Sequence, residues 1–166
     1  IEMKGYSHGI GEYNKIKNKE QIYRGLINAR GYDLLGYRQY DKAIDLFKFN
    51  VFAFPDSDNV YDSLAEAYLR RGDKEKAVEY YKKALEINPK STYALMNRSN
   101  AKIVSGDIEG AIRDLNEVII IRPHYGAAYL NRGLARFELE DYASALRDYD
   151  QCIRFDSKNA LAYNNR

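Results

Sequence analysis

A repeat with a period of about 34 residues is the feature that most constrains how this chain folds. The three prolines, Pro55, Pro89 and Pro123, are each separated by one such period. Two sets of small residues keep the same spacing: Ala43, Ala77, Ala111 and Ala145, and Gly31, Ala65, Ser99 and Gly133. A fixed period of this length indicates stacked copies of one supersecondary unit, because a single copy cannot bury its apolar face alone.

Each unit contains two blocks of apolar residues at helical spacing, which the second unit shows most clearly. Its blocks cover residues 61–68 and 77–87, and their spacing predicts two amphipathic helices. Between them, Gly72 suits the end of one helix and Asp73 suits the start of the next. Pro89 cannot continue the second helix, so the chain must turn there. The sequence therefore predicts an all-α fold, a right-handed superhelical solenoid of antiparallel helix pairs.

The period divides the chain into three parts. Residues 1–23 precede the repeats, and Gly5, Gly9 and Gly11 predict irregular backbone there before a polar lead-in helix. The four predicted repeats are 24–57, 58–91, 92–125 and 126–159. Residues 160–166 restart the pattern and predict the truncated first helix of a fifth repeat. Together with the start at Ile1, this predicts a piece of a longer protein.

The repeat resembles the tetratricopeptide repeat family from Arg24 to Arg166. The best single match is the run Tyr-Asp-Ser-Leu-Ala-Glu-Ala-Tyr at residues 61–68, followed by Gly72–Asp73. The resemblance implies a non-catalytic protein–protein interaction module. Lys102 and Arg136 depart from the pattern, which prefers an aromatic residue at their position. This departure should loosen the packing of the helices in the third and fourth repeats, unless the alkyl stems cover apolar surface while the charges reach water.

The first helices of such an array line a concave face, on which repeat proteins bind extended peptides or partner helices. We therefore predict a protein or peptide partner in this groove. Equivalent carboxamides at Asn97, Asn131 and Asn165 can hold a peptide backbone without reading its sequence, as in the asparagine ladder of some tetratricopeptide grooves. The predicted groove residues are Asn28, Tyr32, Asn59, Asp62, Ser63, Glu66, Tyr93, Asn97, Asn100, Asn131, Asn164 and Asn165.

The charges of this groove indicate what it binds. Asp62 and Glu66 make its part in the second unit acidic, which favours a basic or neutral segment. Co-chaperone members of the family bind a C-terminal carboxylate through Lys, Asn and Arg on successive first helices. The corresponding neighbourhood here contains polar and aromatic residues without the cations, which argues against a carboxylate clamp.

Two pairs of opposite charges in the later units share one sequence spacing, Arg98 with Asp114 and Arg132 with Asp148. That spacing takes the arginine from the first helix of its unit to the second, and it predicts partly buried ion pairs. By the same rule, Arg166 requires a partner beyond the end of the chain.

The cations are mostly lysine in residues 1–91 and mostly arginine in residues 92–166. One interpretation is drift within a single natural array. Another is a fusion of two arrays near residues 88–92, natural or engineered, that serves as a scaffold. A third possibility is that the chain is an accessory domain of a larger bacterial enzyme.

The last helix pair carries apolar residues that a short fifth helix covers only in part. Because terminal units normally need a polar cap, we predict a homo-oligomer formed by end-to-end stacking. The residues predicted for this contact are Leu146, Tyr149, Ile153, Leu161 and Tyr163.

Composition argues against several other classes of protein. A net charge of +2 with 30% charged residues gives a surface of mixed sign, unlike the basic stripe of a nucleic-acid binder. The sequence has no run of about 18 apolar residues that would predict a membrane span. The single Cys152 precludes an internal disulfide and is typical of a cytoplasmic protein, although periplasmic proteins also lack disulfides in some cases.

One short motif resembles a catalytic site. The run Gly5-Tyr6-Ser7-His8-Gly9 matches the G-x-S-x-G nucleophile elbow, but the four residues before it cannot form the sheet that this motif needs. Two histidines and one cysteine, far apart in the chain, offer no metal-ligand spacing. The sequence therefore predicts no catalytic residue, no metal and no cofactor.

Overall fold

Nine α-helices make up the part of the chain that the structure, a computed structural model, describes. That part is the backbone of residues 2–166 and the side chains of residues 19–166. The helices are α1 (Glu2–Gly36), α2 (Tyr40–Ala53), α3 (Asp58–Arg71), α4 (Lys74–Ile87), α5 (Thr92–Ser105), α6 (Ile108–Ile121), α7 (Gly126–Glu138), α8 (Tyr142–Phe155) and α9 (Ala160–Asn165). Each packs against the helices before and after it in the chain, and the short loops make these neighbours antiparallel. The predicted all-α solenoid of helix pairs is confirmed.

Helix α1 corrects the prediction for the start of the chain. It is continuous from Glu2 to Gly36, whereas three glycines had predicted irregular backbone in residues 1–23. Each glycine in a helix costs only about 1 kcal/mol relative to alanine, so residues that favour a helix between the glycines are enough to continue it. Ile1 and the side chains of residues 2–18 lie outside the described part.

The prolines mark the loops between helix pairs, as predicted. Helices α2, α4 and α6 each end two residues before a proline. The residue in between has a φ between −135° and −130° and lies outside the α region, which a following proline disfavours. The fourth of these loops has Ser157 in place of proline. Even so, Asp156 has a φ of −137°, close to the −130° of Asn88. The turn therefore does not depend on the proline ring.

Each helix pair is closed by a residue with positive φ. Gly72 and Gly106 have φ angles of 104° and 91°, and Arg38 and Glu140 take the equivalent positions with 57° and 61°. Glycine adopts this left-handed conformation without steric cost, whereas other residues pay roughly 1–2 kcal/mol. All four turns therefore place a residue in the left-handed region, and only Gly72 and Gly106 adopt it without strain.

This geometry predicts opposite effects for exchanges at equivalent sites. Gly106→Ala is expected to lower the free energy of unfolding by about 1 kcal/mol, and Glu140→Gly to raise it by about 0.5–1 kcal/mol. Gly25→Ala is the matched control, because Gly25 is helical with open space around a new Cβ, and it should stabilise. Urea unfolding measures all three, and a Gly106→Ala variant as stable as the wild type would contradict the assignment.

The small residues of the first helices make room for aromatic rings of the second. A Cβ on Gly133 would lie 2.6 Å from Cε1 of Tyr149, too close for two carbon atoms. A Cβ on Gly31 would overlap the ring of Phe47 in the same way. Both rings are fully buried. The small residues were predicted to let the paired helices approach closely. In these two pairs, the space beside the glycine is filled by an aromatic ring of the second helix.

The predicted ion pairs form, and each is more extensive than expected. Asp114 accepts hydrogen bonds from Nε and Nη2 of Arg98 at 2.8 and 2.7 Å, and Nζ of Lys102 lies 2.9 Å from the same carboxylate. Only 3% of Asp114 is exposed. A buried carboxylate is tolerated when it is paired and hydrogen-bonded, and Asp114 has two cations.

The next repeat contains the same arrangement. Asp148 accepts from Arg132 at 2.9 and 2.6 Å and from Nη1 of Arg136 at 2.7 Å. For Lys102 and Arg136, the prediction that looser packing is avoided only if the charges reach water is therefore wrong. Their stems are partly buried, and each head group supplies the second cation of a buried aspartate.

In the second repeat, aromatic rings occupy the positions of these charges. Tyr68 and Tyr80 stack with ring centroids 5.3 Å apart and planes 4° apart, at the places that Lys102 and Asp114 take one repeat later. Leu64, fully buried, stands where Arg98 follows. Three interior positions thus change together from apolar to charged between the second and third repeats.

Arg166 has a partner within the chain, and the further partner predicted for it beyond residue 166 stays a prediction. Its Nε lies 2.8 Å from Oδ1 of Asp150, on the second helix of the preceding pair. Arg132 reaches back in the same way, donating from Nη1 to Oδ1 of Asn116 at 2.7 Å. Arginines at this position therefore tie neighbouring repeats together as well as the two helices of one repeat.

Candidate functional site

The first helices of the pairs lie side by side, since α1 contacts α3 and α3 contacts α5. Between these three helices and the loop after α4 is a cleft of about 580 Å³. Its lining is polar and aromatic rather than aliphatic. The lining residues are Tyr32, Asp58, Asn59, Asp62, Glu66, Asn88, Lys90, Ser91, Thr92, Tyr93 and Asn97.

Half of the residues predicted for the groove meet in this cleft. They are Tyr32, Asn59, Asp62, Glu66, Tyr93 and Asn97. The sequence analysis considered only first helices and therefore missed the contribution of the inter-repeat loop, notably Asn88 and Lys90. The period itself could have indicated them, because that loop leads directly into the helix that carries Tyr93.

A hydrogen-bonded network forms the floor of the cleft. The Tyr32 hydroxyl donates to Oε2 of Glu66 at 3.0 Å and approaches Oγ of Ser63 at 3.4 Å. Ser63 in turn donates to the carbonyl of Asn59 at 3.0 Å. Ser63 was predicted to contact a ligand, but it is fully buried. It supports the floor and does not line the cleft, because its hydroxyl is used by its own helix.

Asp62 is at the centre of the cleft and is weakly satisfied. Nδ2 of Asn97 lies 3.3 and 3.4 Å from its two carboxylate oxygens. Burial, with Glu66 and Asp58 nearby, raises the pKa of Asp62 to about 6, although the bond from Asn97 opposes the rise. This carboxylate therefore carries its negative charge at neutral pH with little compensation.

The predicted asparagine ladder is uneven. Nδ2 of Asn97 already donates weakly to Asp62, so its carbonyl oxygen is the freer of its two polar groups for a ligand. Nδ2 of Asn165 and Oδ1 of Asn28 are buried without a hydrogen-bond partner among the described residues. Asn131 is partly buried, while Asn100 and Asn164 are exposed. The other six residues predicted for the groove do not line the cleft. They are Asn28, Ser63, Asn100, Asn131, Asn164 and Asn165.

The groove loses its charges towards the later repeats. The positions of Asp62 one and two repeats further on hold Met96 and Leu130, and Leu134 takes that of Glu66. Leu130 is buried, and the other two are partly buried. The concave face thus loses the two carboxylates of α3 in the later repeats, where Asn100 takes the position of Glu66 in the third repeat.

The residues predicted for self-association divide into two groups. Leu146, Leu161 and Tyr163 are exposed, and Ile153 is partly buried. Tyr149, by contrast, is 1% exposed, because its ring fills the space beside Gly133, so it is not available for a contact. End-to-end stacking through the other four residues stays a prediction.

Other kinds of site receive no support from the described part of the chain. Among its side chains, no group of three or more His, Cys, Asp or Glu residues is arranged to hold a metal ion. None of its helices is long and apolar enough to cross a membrane. Ser7 and His8 of the elbow-like motif lie outside the described side chains.

Solved structures with the same fold are tetratricopeptide repeat (TPR) proteins. The Sgt2 TPR domain from Aspergillus fumigatus is 29% identical, with a TM-score of 0.62 over 65% of this chain and 73% of that one. The first TPR of Spaghetti (RPAP3) is 26% identical, with a TM-score of 0.63 over 65% and 86%. YrrB is 21% identical, with a TM-score of 0.73 over 81% and 69%, a likeness that shows the fold alone.

Family models agree with these structures. Two models, both described as tetratricopeptide repeat, match residues 63–91 and 96–160, and together they span more than half of the chain. No curated protein sequence matches the chain significantly. The repeat period, the helix pairs and the family models lead to the same conclusion: this chain belongs to the tetratricopeptide repeat family.

Proposed function

We propose that this protein is a non-catalytic interaction module that binds an extended segment or a helix of a partner protein in its concave groove. The cleft between α1, α3 and α5 carries the proposal, because it brings together exposed polar and aromatic groups from three repeats. Tyr93, at its rim, is 72% exposed. Exposed tyrosine is typical of the central contacts of protein interfaces.

Two structural neighbours support binding of a peptide. The TPR of RPAP3 was solved bound to the HSP90 peptide SRMEEVD, and YrrB is described as having an unusual peptide-binding site. The RPAP3 peptide carries three acidic residues near its end. A segment of that kind would meet Asp58, Asp62 and Glu66 in the cleft of this chain, so we expect a partner of different charge.

Two alternative roles predict different results for the groove. An accessory domain of a larger enzyme would also hold another polypeptide in it. A fused scaffold that self-associates through its C-terminal end needs no ligand there, so it would yield no peptide that depends on the groove.

The test is a selection of random short peptides, displayed on phage, on the immobilised protein. Peptides that bind the groove are expected to lose roughly 10-fold or more in affinity when Tyr93 is changed to alanine, since a central tyrosine contact contributes about 2 kcal/mol. Tyr37→Ala is the matched control. Tyr37 is 73% exposed but lies in the loop between α1 and α2. Binding affected equally by both changes would contradict the proposal.

The asparagine ladder makes a smaller prediction with the same peptides. If Asn131 contacts the peptide backbone, Asn131→Ala should weaken binding by roughly 3- to 10-fold, the value of one or two neutral hydrogen bonds. The effect should be similar for unrelated selected sequences, because the backbone is common to all. A loss that depends strongly on the peptide sequence would exclude a ladder.

A further inference from the structure

The chain itself shows what a buried aspartate requires in this fold. Asp114 is paired with Arg98 and Lys102, and Asp148 with Arg132 and Arg136. Asp62 lacks such partners, because among the described side chains no cation lies within ion-pair distance of its carboxylate. The amide of Asn97, at 3.3 Å or more, is its only hydrogen-bond donor there.

The other carboxylates of the cleft are satisfied. Oδ2 of Asp58 accepts from Nδ2 of Asn88 at 2.8 Å. Glu66 accepts from the Tyr32 hydroxyl at 3.0 Å and from Nη2 of Arg70 at 2.5 Å. Among the described side chains, Asp62 is therefore the carboxylate of the cleft that has neither a cation nor a donor closer than 3.3 Å. It lies inside a cavity of about 580 Å³, where a ligand group can reach it.

On the basis of the proposed function, we infer that the Asp62 cleft receives a lysine or arginine side chain of the bound segment. The cation supplies the charge that Asp114 and Asp148 obtain from within the chain. Tyr32 and Tyr93 line the same cleft, and their rings suit both the apolar stem and the cationic head of such a side chain. The partner is thus a protein segment that carries a cation.

The peptides selected on the wild-type protein provide the test. They are expected to share a lysine or arginine. Asp62→Asn should weaken their binding roughly 10- to 100-fold, the range expected for a hydrogen bond between charged groups. Asp45→Asn removes the same charge from an exposed side chain of α2 and should leave binding within about twofold. Circular dichroism confirms that each variant is folded.

A double-mutant cycle assigns the contact. A selected peptide with its cation changed to glutamine should bind the wild-type protein as weakly as the original peptide binds Asp62→Asn, and Asp62→Asn should not distinguish the two peptides. Groove-binding peptides without a cation, or equal losses in Asp62→Asn and Asp45→Asn, would overturn this inference and leave the proposed function intact. If no selected peptide depends on Tyr93, both fail.

Discussion

Changing Asp114 to alanine is expected to lower the free energy of unfolding by about 3–5 kcal/mol, the usual cost of breaking a buried ion pair by removing one partner. The reason is the pair of cations that remains. Arg98 and Lys102 are mostly buried beside Asp114, with 19% and 15% of their side chains exposed. Without the carboxylate, both must stay charged in a site that water reaches poorly. Urea unfolding followed by circular dichroism measures the loss.

The second repeat provides a compensating variant. Its buried Leu64 and Tyr68 and its partly buried Tyr80 occupy the positions of Arg98, Lys102 and Asp114. The triple change Arg98→Leu, Lys102→Tyr and Asp114→Tyr should therefore restore stability to within about 1 kcal/mol of the wild type, because apolar replacements of a buried ion pair are often neutral or stabilising.

Two outcomes would contradict this account of the interior. One is a triple variant that is as unstable as Asp114→Ala, which would show that the three positions do not act as a set. The other is a small effect of Asp114→Ala, similar to that of the exposed control Asp45→Ala, which should change stability by no more than about 0.5 kcal/mol.

Changing Asp62 to asparagine is expected to stabilise the protein at pH 7 by about 2 kcal/mol. The pKa of Asp62 is raised from 3.8 to about 6, and each pH unit corresponds to about 1.36 kcal/mol, reduced here because the group is only partly buried. The asparagine side chain keeps an oxygen that accepts from Asn97. Removing an uncompensated charge therefore stabilises the fold without loss of the hydrogen bond.

The sign of the pH dependence follows from proton linkage. Between about pH 4 and pH 6 the folded state holds a proton on Asp62 that the unfolded chain has released, so wild-type stability falls as the pH rises through this window. Asp62→Asn lacks this contribution. The difference between the two proteins should be largest at pH 7 and should vanish near pH 4.

The other charged and titratable groups around Asp62 are the same in the wild type and in Asp62→Asn, so they do not contribute to the stability difference at first order. They are Asp58 and Glu66 on α3, Tyr32 on α1, Tyr81 on α4 and Lys90 in the following loop. Burial raises the pKa of both tyrosines, so they stay neutral over this range. A stability difference between wild type and variant that does not change from pH 4 to pH 7 would show that Asp62 is not the source.

Contacts inside the repeats were predictable where the sequence separation of two residues places them opposite each other on paired helices. The sequence separation of Arg98 and Asp114 identified this pair because it joins facing positions of two antiparallel helices. It did not identify Lys102, which reaches the same carboxylate from one helical turn further along α5. From the sequence alone, a charge at a position normally held by an aromatic residue was expected either to loosen the packing or to reach water. The stacked Tyr68 and Tyr80 show that this position faces the partner helix.

The same coupling accounts for three of the arginines beyond the midpoint, Arg98, Arg132 and Arg136. Once a buried aspartate takes the position of Tyr80, cations must replace Leu64 and Tyr68, because an unpaired buried carboxylate is costly. Arginine suits such sites, since its planar group binds a carboxylate through two hydrogen bonds. Pairing chemistry therefore requires that the three positions differ together, whether or not two arrays were joined.

Local backbone was less predictable than packing. Asp73 was expected to cap α4, but its side chain makes no capping bond because it pairs with Arg71. That pairing holds the pKa of Asp73 below its usual value. Asp107, at the equivalent position, does cap its helix through the Gly110 amide at 2.9 Å. A competing cation two residues away decides between these outcomes, and the repeat pattern alone does not reveal it.

The most direct test of the binding account is a ¹³C NMR titration of the Asp62 carboxyl carbon, with and without a selected peptide. In the protein alone, the account predicts a pKa of about 6 for Asp62. In the complex, a lysine or arginine beside the carboxylate should lower this pKa below 3.8, the ordinary value for aspartate. An Asp62 pKa that stays near 6 when the groove is saturated with peptide would contradict the claim that the cleft binds a cation.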